Sequence, residues 1–197
     1  MDYGRKCRDI HQLVLTRAQQ NIGSVIGEFL SSKQLELDES LSSAILQEFE
    51  TNEIALLRIS KNFKLICCYY ENSLRDLMNH QQQHQNGLLN RNWLLIDNEA
   101  SILKANEIVT LRRKIKRACN REIHLLNMYL TPNNLNNESI TTMILPPHYF
   151  AIAFKDSLSH GLIAPQIIKY AFKQLQTPFA VSLRFEYMAA IDSFKSN

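Results

Sequence analysis

The chain has 197 residues, 45% of them hydrophobic and 21% charged, and a formal charge of +3. That length suits one domain with a core of its own, and so mild a basic balance weighs against a dedicated nucleic-acid binder. Five glycines and five prolines are few; tight turns consume both, so the composition predicts long helices over many short strands.

Residues 4–30 carry a helical stripe of Val14, Ala18, Ile22, Val25 and Phe29, with His11 on the same face. Gly23 and Gly27 are four apart, a spacing that lets a second helix approach closely. Ser31-Ser32-Lys33 interrupts the stripe, and Asp38 can cap a short helix running to about Glu50 with Leu41, Ile45 and Phe49 inward. From Glu53 to His80, Leu56, Ile59, Phe63, Ile66, Cys67, Tyr70, Leu74 and Leu77 keep three-and-four spacing. A β-hairpin turning at Lys61-Asn62 is the competing expectation for 53–70. The unbroken phase favours helix.

Residues 81–92, QQQHQNGLLNRN, read as a polar linker between an N-terminal helical half and the remainder of a single domain, 1–197. The stretch 97–130 then has neither Pro nor Gly. As one helix it would run roughly 50 Å. Ile108, Leu111, Ile115, Cys119, Leu126 and Leu130 fall on one side; Arg113, Arg117, Arg121 and His124 fall opposite, with Lys114 beside them. A polar loop follows, and 140–145 is strand-like. Pro147 suits the first turn of a helix stopped by Gly161, and Pro165 starts another that Pro178 is expected to stop. Phe179, Val181, Leu183, Phe185 and Tyr187 alternate as in a strand, although Val181, Phe185 and Met188 also fit a helix. The fold expected is mainly α: a helical bundle with two long central helices, about 53–80 and 97–130. A small antiparallel β element, 140–145 with 179–186, is the additional expectation.

The basic face of 97–130 is the leading candidate site. Arg113, Lys114, Arg117, Arg121 and His124 form a ridge that can meet an acidic protein surface or a row of phosphates. No aromatic side chain stands among them to stack on a base. A solvated face neutralised by the acidic segment Glu28–Glu53 is the plainer alternative. Arg112 and Glu122 fall by phase within the apolar stripe, where a charge must find a partner or mark an interface with another chain.

Enzyme chemistry finds little support. Phosphate-binding and dinucleotide-binding glycine loops, a nucleophile elbow and a zinc-peptidase motif are all absent from the sequence. Asp156 with His160, or Cys119 with Glu122 and His124, can be written as catalytic sets; the first pair is more simply a helix salt bridge. His80 and His84 are four apart but lack an adjacent acidic or Cys ligand, and the four cysteines lack zinc spacing, so neither a metal nor a cofactor is expected. Without a recognisable signal peptide or an apolar run long enough to span a bilayer, the cysteines read as free thiols in a reducing cytoplasm.

Function is expected to be non-catalytic: a protein-interaction protein such as an adaptor, a chaperone-like subunit or a small effector, binding an acidic or helical partner. The abundance of Asn, Gln, Ile and Lys suits an intracellular bacterium or a virus, and delivery into a host cell is compatible with it. A nucleic-acid-binding protein using the same basic face is the second class, and an enzyme of unrecognised type the third.

Overall fold

The computed structural model describes residues 3–39, 46–84, 99–130 and 145–195. Among them are seven helices and no strand: α1 (Tyr3–Glu39), α2 (Leu46–Lys61), α3 (Phe63–His84), α4 (Glu99–Ala118), α5 (Asn120–Leu130), α6 (Pro147–Gly161) and α7 (Pro165–Lys195). The expected helical bundle is therefore present.

Two of the breaks are nominal. At Asn62 the backbone ladder continues, Asn62 N–H to Arg58 O at 3.1 Å and Ile66 N–H to Asn62 O at 2.9 Å. At Cys119 it continues likewise, with both bonds at 2.9 Å. So α2–α3 and α4–α5 are two rods. The helical reading of 53–80 holds and the hairpin is excluded.

Several boundaries differ from expectation. The serines at 31 and 32 do not stop α1, which continues to Glu39. Ser32 Oγ donates to the Phe29 carbonyl one turn back at 2.8 Å, so its hydroxyl is satisfied without leaving the helix. Asp38 lies inside α1 rather than capping a new helix. α3 runs through His84, so 81–84 are helical, while 85–92 lie outside the described residues.

The largest correction is at Pro178. It does not end a helix: α7 runs through it for 31 residues. The proline has no N–H for the Gln174 carbonyl, but it sits on the exposed side, where water can take that acceptor. Phe179, Ala180, Leu183 and Tyr187 continue the buried stripe begun by Ala171, Phe172 and Leu175. Burying those side chains contributes more than one lost bond takes away. The strand expected over 179–186 is therefore helix. Its proposed mate, 140–144, lies outside the described residues.

The centre of the bundle is α6, which packs most extensively on α3 and then on α4, with aromatic rings reaching α7. Nine of the 15 residues of α6 are buried. Phe154 stacks on Phe179 at 4.3 Å and meets Phe172 at 5.7 Å; Phe150 meets Tyr187 edge-on at 5.7 Å. Tyr70 of α3 closes on Phe179 at 5.6 Å. Truncating any one of these rings to Ala would cost about 3–5 kcal/mol. The long rods α3 and α4 do not pack broadly on each other; each packs on α6 instead.

Contacts fix the directions. Ser73–Asp156, Tyr69–His160 and Ile66–Gly161 make α3 antiparallel to α6. Arg17–Glu186 and Asn21–Ser182 make α1 antiparallel to α7. Lys114–Thr177, Cys119–Ala180 and Glu122–Arg184 make α4–α5 run parallel to α7.

Candidate functional site

The α4–α5 rod turns Leu111, Ile115, Cys119, Ile123 and Leu126 inward. Helical phase then obliges the residues on the opposite side to face solvent. Arg113, Arg117, Arg121 and His124 are all exposed. Among the described residues no carboxylate pairs with any of them. Lys114 stands apart: it is half-buried at the edge of α7 and its Nζ donates to Thr177 Oγ1 at 3.0 Å. Among the described residues α4 and α5 pack on α6 and α7; of the acidic segment Glu28–Glu53, the side chains of Glu36, Asp38, Glu39, Glu48 and Glu50 lie outside the described residues.

Glu122 and Arg112 separate. Glu122 is 5% exposed and finds its partner inside the chain. Arg184 of α7 brings Nη2 to 2.9 Å and Nε to 3.1 Å of the same carboxylate oxygen. Arg112 was expected in the apolar stripe and is instead exposed. It sits at the edge of the stripe, where its long side chain reaches water. From there its charge acts on His148 of α6, whose imidazole is held below its ordinary value mainly by burial and then by Arg112.

Between α5 and α7 runs an open groove of about 220 Å³. Its apolar lining is Leu125, Met188 and Ile191; Arg121, Arg184 and Lys195 supply positive charge. Glu122 and Asp192 also line it, Glu122 engaged by Arg184 and Asp192 3.9 Å from Lys195. Beside the groove, α7 shows solvent an apolar stripe of Val181, Phe185 and Met188, Phe185 being 65% exposed. Arg121 and this stripe thus lie on the two helices that form the groove, and Arg117 and Arg113 continue the row along α4.

This half of the site was not expected. Val181, Phe185 and Met188 fitted a helix in sequence, but that stripe is the outer one. The inner one, Phe179, Leu183 and Tyr187, lay hidden within the apparent alternation of a strand. Two apolar stripes on one helix, with charges between them, were the signal that one had to face outward.

The catalytic sets do not assemble. Cys119 is buried, and burial, followed by the charge of Glu122, pushes its thiol up to about 12. That is the reverse of an activated nucleophile, and His124 faces solvent on the other side of the rod. Asp156 does not pair with the His160 ring as expected. Its carboxylate accepts from Ser73 Oγ at 3.1 Å, and His160 Nδ1 lies 2.8 Å from the Asp156 backbone oxygen. His80 and His84 fall within α3, but their side chains lie outside the described residues. No group of three or more metal-ligating side chains occurs among the described residues. Nor is any described helix long and apolar enough to cross a membrane.

Compared with protein-family models, curated proteins and solved structures, the chain matches none.

Proposed function

We propose that this chain is a non-catalytic interaction protein, an adaptor, chaperone-like subunit or small effector, that binds an acidic protein partner through the α4–α5 face. The observation that carries the proposal is the row of Arg113, Arg117 and Arg121, exposed and unmatched by any described carboxylate. Guanidinium groups one turn apart, about 6 Å along a helix, can each take a carboxylate in a forked hydrogen bond. The three described cysteines are free thiols, which suits a reducing cytoplasm.

A nucleic-acid partner would use the same arginines. Such surfaces interleave basic residues with stacking aromatics, and no aromatic side chain stands among Arg113, Arg117, Arg121 and His124. That observation favours a protein.

The test is affinity capture from native cells, comparing the wild-type chain with an Arg113→Glu/Arg117→Glu/Arg121→Glu variant. The proposal expects an acidic protein captured by the first and lost by the second, with capture weakening as salt rises. Equal capture by both, or loss of the partner on nuclease treatment, would overturn it.

A further inference from the structure

We infer that the α5–α7 groove is a socket for a single large apolar side chain carried by an acidic amphipathic helix of the partner protein. The inference rests on the interaction reading above and narrows its partner.

Three observations converge. The first is shape: the groove between α5 and α7 is half open, and its volume of about 220 Å³ is on the scale of one large side chain. The second is chemistry. Leu125, Met188 and Ile191 present apolar surface inside the groove, and Phe185 and Val181 continue it outside along α7. Methionine is an adaptable lining for a buried anchor. The third is charge. Arg121 lines the groove and also belongs to the exposed row with Arg117 and Arg113. A helix lying along α5 with its anchor in the groove would bring its flank to those arginines. An acidic flank complements them.

The same charge argues against a second copy of this chain docking face to face. A twofold contact with its axis near Arg121 would bring the arginine rows of the two copies together, with like charges opposed. A membrane surface is flat and would not fill a groove.

The test is a selection from displayed helical peptides of roughly 18 residues, about 27 Å of helix, with randomised anchor positions and flanks, against the full-length chain. Enriched peptides should carry Glu or Asp on one flank and one Phe, Trp or Leu anchor. Replacing that anchor by Ala should weaken binding at least about tenfold, the scale of one large buried apolar side chain. Met188→Glu should do the same. Met188 is 47% exposed, so this change leaves folding intact, and Met188→Gln serves as an uncharged second variant. An anchorless acidic peptide should be insensitive to Met188→Gln but weakened by Arg117→Glu/Arg121→Glu.

The two readings fail differently. Peptides that lose affinity with the arginine variant but ignore both Met188 variants would overturn the socket and leave the basic ridge standing. Peptides indifferent to the arginine variant would overturn both. An absence of enriched peptides, tighter binding of the chain to phosphatidylserine vesicles than to any peptide, or a dimer that Met188→Glu dissociates would each replace the proposed occupant and so overturn the socket.

Discussion

Glu122 shows how a single acidic side chain is accommodated in a core. Its carboxylate lies inside the apolar stripe of α5, and the Arg184 guanidinium, half in solvent, reaches in to meet it. Arg184→Ala would leave the carboxylate without its donors. The expected loss is about 1–3 kcal/mol, partly recovered by adding Glu122→Gln, both read from urea unfolding. Equal stability of Arg184→Ala and wild type would contradict the pairing. Cys119 offers a simpler readout. Its buried thiol, raised to about 12, should resist alkylation at neutral pH in the folded chain, whereas the exposed Cys68 reacts. Mass spectrometry of the alkylated peptides distinguishes them.

His148 ties residue chemistry to stability. Its folded-state value is lowered, so the unfolded chain takes up the proton first. The contribution is present above roughly pH 6.5 and is lost as pH falls through that value toward the lower folded one. His148→Gln should flatten the fall in stability between about pH 7.5 and pH 5.5. Measuring the difference between the two proteins cancels Glu186, whose carboxyl burial raises and whose contribution has the opposite sign. An identical slope in both would contradict the assignment.

At the scale of elements, the two glycines that matter act in opposite directions. Gly161 ends α6 against α3, where a Cβ would overlap Ile66 Cγ1 and come within 3.4 Å of its Cα. Ile66 is fully buried and β-branched, so it cannot turn aside. The sequence marked Gly161 as a helix stop, but close approach of two helices is what requires it. Of the two glycines expected to allow close approach, Gly23 does face α3, where a Cβ would lie 3.4 Å from Phe63 Cζ, whereas a Cβ on Gly27 meets no described atom within 4 Å. Gly161→Ala should destabilise by about 1–3 kcal/mol; Gly27→Ala should stabilise by about 0.5–1 kcal/mol. Thermal unfolding of the two variants gives both signs, and a shift in the same direction would contradict this packing.

Elements with one long apolar stripe were legible in sequence: α1, α3 and α4–α5 stand where three-and-four spacing put them. α7 was not. Local rules say that proline ends a helix, and an alternating pattern says strand, whereas tertiary burial of Phe179, Leu183 and Tyr187 overrides both. The site divided along the same line. The arginine ridge follows from phase alone, because a rod buried on one side must expose the other. The groove needs α7 set beside α5, a long-range contact that no local pattern encodes.

For the whole molecule, the distribution of charge is the point of interest. Among the described residues the two buried carboxylates are met by cations, Glu122 by Arg184 and Glu186 by Arg17 with Asn21, though Glu186 Oε2 accepts no hydrogen bond. Buried Lys155 pairs with Glu107 under the Phe172 ring. At the surface, Arg113, Arg117 and Arg121 form an exposed row on α4–α5 with no carboxylate partner among the described residues, and a docked acidic partner would supply one. Arginine-selective modification with phenylglyoxal tests this most directly, read residue by residue with and without the captured partner. Arg113, Arg117 and Arg121 should react readily in the free chain and be protected together in the complex. Equal reactivity of all three in both states would contradict the account, as would resistance in the free chain.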